Sequence, residues 1–201
     1  GCWASDDGGA VYAHAARVKV EDCWFESCWS GGEGGALHVE GGSQLTVRRT
    51  HFQSNDATTD GGAVSGRGAT SVPLGFESCV FLDNRARRGG ALAAVDGADA
   101  TLIQCTASSN LASLAGGGGV LFGGSTASVF SVSGCLFWLN SANGTSHAHL
   151  AGGAATVSYT TLSGWVSTSG PAGTGNNGSD PVFRAGTVVP SAPAMQDSSN
   201  P

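Results

Sequence analysis

The chain has 201 residues, enough for one domain with a buried core. It carries 33 glycines, 40% apolar residues and only 12% charged ones, which excludes a solvated disordered chain and favours a fold built on glycine-requiring turns. A net charge of −6 with nine basic residues argues against a nucleic-acid groove, and no apolar run is long enough to span a bilayer.

From the first residues onward the chain repeats itself. "CWASDDGGA" at 2–10 returns as "CWSGGEGGA" at 28–36, and the glycine pair then marks every unit: Gly8-Gly9-Ala10-Val11, Gly34-Gly35-Ala36-Leu37, Gly61-Gly62-Ala63-Val64, Gly89-Gly90-Ala91-Leu92 and Gly118-Gly119-Val120-Leu121, with a degenerate sixth copy at His147-Ala148-His149-Leu150. The steps are 26, 27, 28, 29 and 29 residues. Next in each unit comes an alternating stretch. One column holds Val18, Leu45, Leu74, Ala100, Phe130 and Ala155; two residues on stand Val20, Val47, Phe76, Leu102, Val132 and Val157. Between them lie Lys19, Thr46, Gly75, Thr101, Ser131 and Thr156. Apolar, polar, apolar at period two predicts a strand with one buried face.

The unit closes on a third element: "CWFESC" at 23–28, "THFQSN" at 50–55, "CVFLDN" at 79–84, "CTASSN" at 105–110, "CLFWLN" at 135–140 and a weak "TTLSGW" at 160–165. Each unit thus holds two or three short strands between Gly, Asn and Asp turns. One unit cannot bury its own apolar face, but stacked units can. The spacing therefore predicts an all-β parallel β-helix, a solenoid of about six coils over residues 1–165, with a Phe ladder (Phe25, Phe52, Phe81, Phe137) and an Asn ladder (Asn55, Asn84, Asn110, Asn140). The Pro-, Gly- and Ser-rich residues 166–201 are expected to form an irregular C-terminal cap. Gly1 stands one residue before a repeat element, with no initiator Met or signal peptide, which predicts a piece excised from a longer chain.

GGA[VL] paired with Phe-x-x-Asn resembles the polymorphic outer-membrane-protein repeat, and the tail "SDPVFRAG…PSAPAMQD" resembles the closing segment of many pectate-lyase-like β-helix proteins. The resemblance implies a single-stranded right-handed coil and a surface location. Copy four lacks its Phe (Ala107) and copy one has Cys28 in place of Asn.

Six cysteines fall into two columns. Cys2 and Cys28 both lie six residues before a glycine pair, which places them on adjacent coils and predicts a Cys2–Cys28 disulfide that also stacks Trp3 near Trp29. Cys23, Cys79, Cys105 and Cys135 share the other column with Thr50, where they read as compact buried residues; bridges Cys79–Cys105 or Cys105–Cys135 are the alternative, and stacked identical ligands do not converge on zinc. No catalytic residue can be proposed. Asp6, Asp7 and Glu33 give an acidic edge suited at most to weak calcium binding, Glu40 stands against Arg67, and no carboxylate pair shows the spacing glycoside hydrolysis requires. His38 is expected to point outward beside Tyr12, Ser65, Ala93 and Phe122, and His147 with His149 is a weak metal pair. Sequons at Asn143 and Asn177 predict glycosylation and, with a disulfide, an extracellular, cell-surface or lumenal setting.

The expected function is a non-catalytic structural or adhesive module of a surface protein or large assembly, without cofactor. Its expected partners are other protein subunits or further coils at the N-terminal edge, and glycans. The alternative is a carbohydrate-binding protein, or a polysaccharide lyase or hydrolase with its active coils elsewhere. A third reading, from the hydroxylated outward column, is an ice-binding solenoid.

Overall fold

The computed structural model describes residues 1–68, 72–114, 117–124, 128–143, 145–146, 149–152 and 154–163. The expected cap at 166–201, Asn177 and His147 lie outside these residues.

The chain forms a parallel β-solenoid of six rungs, hence about five full turns, with no helix among the described residues. Each rung contributes one strand to each of four sheets, rather than the two or three strands per unit read from the pattern. Sheet I contains the two-residue strands Trp3–Ala4, Trp29–Ser30, Asp56–Ala57, Arg85–Ala86, Leu111–Ala112 and Ser141–Ala142, which are too short to announce themselves by alternation. Sheet II contains Val11–His14, Leu37–Glu40, Val64–Arg67, Leu92–Val95, Leu121–Gly123 and Leu150–Ala151. Sheet III, with the longest strands, contains Arg17–Glu21, Gln44–Arg48, Pro73–Glu77, Asp99–Ile103, Val129–Ser133 and Ala154–Ser158. Sheet IV contains Trp24–Glu26, His51–Gln53, Val80–Leu82, Thr106–Ser108, Leu136–Trp138 and Thr161–Leu162. These stacked strands pair in parallel; the exception is Thr145–Ser146, which returns antiparallel on Ser141–Ala142 as a small hairpin carrying Asn143 at its exposed turn.

The glycine-pair motif has a distinct reason at each position. Gly8, Gly34, Gly61, Gly89 and Gly118 turn the corner with φ of 62–69°, a left-handed conformation that favours glycine. The second glycine needs its missing side chain for another reason: a Cβ on Gly35 or Gly62 would sit 2.1 Å from the glycine carbonyl oxygen of the next rung. The following Ala36, Ala63 and Ala91 are fully buried, and Leu37, Val64 and Leu92 enter the core behind them.

The apolar columns meet inside as expected. Val20, Val47, Phe76, Leu102, Val132 and Val157 are all buried, and Phe25, Phe52 and Phe81 stack with centroids 5.2 and 5.1 Å apart. Ala107 interrupts that stack in the fourth rung, while within the third rung Phe76 packs edge-on to Phe81. The Asn ladder is a hydrogen-bonded chain. Asn55 donates its backbone N–H and its Nδ2 to Asn84 Oδ1, Asn84 does the same to Asn110, and Asn110 to Asn140, while each Nδ2 also reaches a carbonyl such as Phe25 O or Phe52 O. Cys28 joins the chain through its backbone N–H to Asn55 Oδ1, and His149 meets the far end at Asn140 Nδ2.

All six cysteines are free thiols, so the expected Cys2–Cys28 bridge is not formed. The two do occupy successive rungs, and Trp3 stacks on Trp29 at 5.6 Å. Side chains in one column of a parallel stack leave the backbone side by side, so their Cβ atoms stay near the strand spacing of about 4.8 Å, wider than the roughly 3.8 Å a disulfide favours. Cys79, Cys105 and Cys135 are buried, as a compact inward column should be, whereas Cys23 at the first rung is exposed. The column works through hydrogen bonds. Thr50 Oγ1 donates to Arg48 O and accepts Cys23 N–H; Cys135 Sγ donates to Ser133 O and accepts Cys105 N–H. Thiol and hydroxyl are interchangeable there because each both donates and accepts.

Candidate functional site

Alternation in sheet II sends Leu37 and Val39 inward and His38 and Glu40 outward. Register then stacks Tyr12, His38 and Ser65 in one outward column and His14, Glu40 and Arg67 in the next. Glu33 reaches this face from the corner, where Asp7 Oδ1 accepts its backbone N–H. The outcome is a packed polar cluster rather than a solvated edge: Glu33 is 8% exposed and His38 only 1%.

Glu33 is fully engaged. Its Oε2 accepts Ser65 Oγ at 2.8 Å and its Oε1 accepts Arg67, which also bridges to Asp96. The carboxylate holds the Arg67 guanidinium above its usual range. Glu40 Oε1 accepts the Tyr12 hydroxyl. That bond pushes the Tyr12 phenol up and is the main cause holding Glu40 below the usual glutamate range. Tyr12 lies flat on His38, ring centroids 5.7 Å apart. The His38 ring separates the two carboxylates, with Nδ1 3.7 Å from Glu33 Oε2 and Nε2 3.8 Å from Glu40 Oε2, and neither nitrogen makes a hydrogen bond. Nearby, Arg88 grips the buried Asp60 through two bonds of 2.6 Å and lies 4.6 Å over the Phe122 ring.

Chemically, the cluster lacks what glycoside hydrolysis asks of two carboxylates, which must face each other across room for a sugar and a water. Here an imidazole fills that space. Among the described residues no three His, Cys, Asp or Glu side chains converge to hold a metal ion. His149, half of the weak metal pair, faces Ser163 O and Asn140 instead. The Cys105 thiol is pushed well above its usual range by its hydrogen bonds to Cys135 and Cys79 and by burial, so it is a poor nucleophile.

Sheet III presents the second candidate surface. Its outward middle column runs Lys19, Thr46, Gly75, Thr101, Ser131, Thr156 in unbroken register. A shallow cavity of about 270 Å³ lies between Arg17, Lys19, Gln44, Thr46 and Arg48, and another of about 130 Å³ opens at Gly75, walled by Thr46, Arg48, Glu77, Thr101 and Ile103. Arg48 Nε and Glu77 Oε2 are 3.0 Å apart. From residue 100 to residue 179 the sequence contains no Asp, Glu, Lys or Arg, so the outer face of the fifth and sixth rungs of this sheet carries no formal charge.

Sequence reasoning placed Glu40 opposite Arg67 and His38 on the outward face, but it missed the burial of His38 and Glu33 and the Tyr12–Glu40 bond. The one sequence signal for the shallow cavity at Gly75 was a glycine interrupting a hydroxylated column. No protein-family model, curated protein or solved structure matches this chain.

Proposed function

We propose that the chain is a non-catalytic structural or adhesive module: a right-handed coil of the polymorphic outer-membrane-protein type, working outside the cell, at its surface or in a lumenal compartment. One observation carries this reading. Four sets of charged groups, Glu33–Arg67–Asp96, Asp60–Arg88, Asp22–Arg49 and Glu77–Arg48, pair across rungs and tie coils together. Partner subunits or further coils are proposed to stack on the first rung, where Val11, Ala13, Val18 and Phe25 are only partly covered and Trp3, Tyr12 and Trp24 are exposed. A glycan on Asn143 suits the same setting, since that side chain is exposed at a hairpin turn.

The enzymatic alternative draws on a single feature, the Glu40 carboxylate held ionised beside the half-exposed Tyr12 hydroxyl. Incubation with a panel of neutral and acidic polysaccharides separates the two readings. A structural or adhesive module releases neither reducing ends nor unsaturated uronides. Turnover that disappears in Glu40→Gln would establish the enzyme instead.

A further inference from the structure

We infer that a second copy of this chain docks head to head on the open side of the first rung, about a two-fold axis through Lys19, so that the strand Arg17–Glu21 pairs antiparallel with its own image. The inference rests on the subunit contact proposed for the first rung and names the partner.

The first rung supplies the outermost strand of all four sheets, and among the described residues no strand pairs with its outer edge. The hydrogen bonds to the second rung show which backbone groups that edge presents. Gln44 N–H donates to Ala16 O and Asp22 N–H to Arg48 O, so the even residues of this strand face the second rung. Arg17, Lys19 and Glu21 therefore turn their N–H and C=O groups to the open edge. In the same way, the bonds made by Val11 N–H and Ala15 N–H leave Tyr12 and His14 facing the edge. Those at Cys23 O and Ser27 N–H leave Trp24 and Glu26 facing it. An edge of this kind is a template for another strand.

The path of the rung is symmetric about Lys19. Ala15 and Ala16 turn the chain from sheet II into the five-residue strand, and Asp22 and Cys23 turn it out into sheet IV. Each two-residue corner has one left-handed residue, Ala15 or Asp22. A two-fold axis through Lys19 reverses strand direction, lays sheet III on sheet III and exchanges sheets II and IV. Residues equally far before and after Lys19 then meet across the contact.

Backbone and side chains are satisfied by that one register. Edge-facing residues meet edge-facing residues, as an antiparallel hydrogen-bonded pair requires. On the outer face Arg17 meets Glu21 of the second copy, once on each side of the axis, and opposite charges directly across a ladder attract. His14 meets Trp24, whose indole already stacks on His51 at 4.5 Å, and Tyr12 meets Glu26. On the inner face Val18 meets Val20 and the small Ala13 meets the large Phe25, which covers the partly covered Ala13, Val18 and Phe25. Lys19 alone meets its like, and its ammonium lies 3.0 Å from Glu21 Oε2. A copy stacked by its sixth rung offers no such match. In register it would bring Ala154, Thr156 and Ser158 to Arg17, Lys19 and Glu21, with no charge to answer them.

Sedimentation equilibrium of the whole chain over a concentration series tests the contact. The wild type should dimerise. Arg17→Glu sets two acids opposite each other on both sides of the axis, and Glu21→Arg sets two arginines there; each should weaken the dimer about tenfold or more. Mixed in equal amounts, the two variants restore both ion pairs, so the mixture should form a heterodimer although neither parent dimerises well. The double variant Arg17→Glu/Glu21→Arg should recover the homodimer. Lys19→Thr, which removes the one like-charge pair, should tighten it. A wild type that stays monomeric, a dimer that both single reversals leave intact, or a mixture without heterodimer would each overturn the inference. The scaffold reading would survive any of these, since it is tested by turnover.

Discussion

At the scale of single residues, the Tyr12–Glu40 pair shows how a rung-to-rung contact sets an acid's charge. The Tyr12 hydroxyl is the leading cause of the depressed Glu40 value, ahead of the nearby His38 and His14 rings. A depressed carboxylate contributes stability above its unfolded value, about 4.3 for glutamate, and loses that contribution as pH falls through the folded value. Tyr12→Phe keeps the ring on His38 and removes only the bond. Its Glu40 midpoint should move up toward the ordinary range in a carboxyl NMR titration. The stability gap between wild type and variant should be widest near neutrality and close as the solution is acidified. An unmoved midpoint would show that Tyr12 is not what holds Glu40 ionised.

At the scale of the element, the stabilising unit is the column rather than the strand. Asn84 is buried, accepts the Asn55 backbone N–H and Nδ2, and donates to Phe52 O and Asn110 Oδ1 at 2.9–3.0 Å. Truncation to alanine leaves the buried Asn55 backbone N–H without its acceptor, strips one bond each from Asn55 Nδ2, Phe52 O and Asn110 Oδ1, and opens a void. Asn84→Ala should therefore cost about 3–5 kcal/mol in a denaturant titration, and a loss under about 1 kcal/mol would refute the ladder's role. Columns of this kind were legible in the sequence because the period alone places Asn84 beside Asn55 and Asn110. The same arithmetic exposed the Phe stack and the Cys/Thr column. What stayed hidden depends on geometry between columns: Glu33 comes from a corner, His38 and Glu40 from a strand, and Tyr12 from the preceding rung. No linear spacing shows that the corner folds over the face and buries His38. The disulfide failed for a related reason, since adjacency in a column fixes Cα proximity but keeps the side chains parallel.

The whole molecule is polarised along its axis. Coils of a solenoid touch only their neighbours, so stability is approximately a sum of rung and interface terms. Every salt bridge described joins residues of the first four rungs, from Lys19–Glu21 to Arg67–Asp96 and Asp60–Arg88, whereas the stretch from residue 100 to 179 has no charged side chain. Acid should then act unequally on the two ends. Asp22, held low chiefly by its hydrogen bond from Arg49, and Glu40 lose their contributions as pH falls through their folded values. Asp56 works in the opposite sense: burial pushes it up, so its ionised form costs stability above the unfolded aspartate value of about 3.9 and protonation relieves that cost. One opposing group does not offset two depressed carboxylates and the loss of the arginine pairs. Hydrogen-exchange protection measured at about pH 6.5 and again near pH 3.5, values that bracket the ordinary carboxylate range, should fall mainly in the strands of the first four rungs. Strands Val129–Ser133 and Leu136–Trp138, held by apolar burial and the Asn and Cys columns, should keep theirs. Equal loss along the axis would mean that the six rungs open as one cooperative unit, with the charged end setting the stability of the whole.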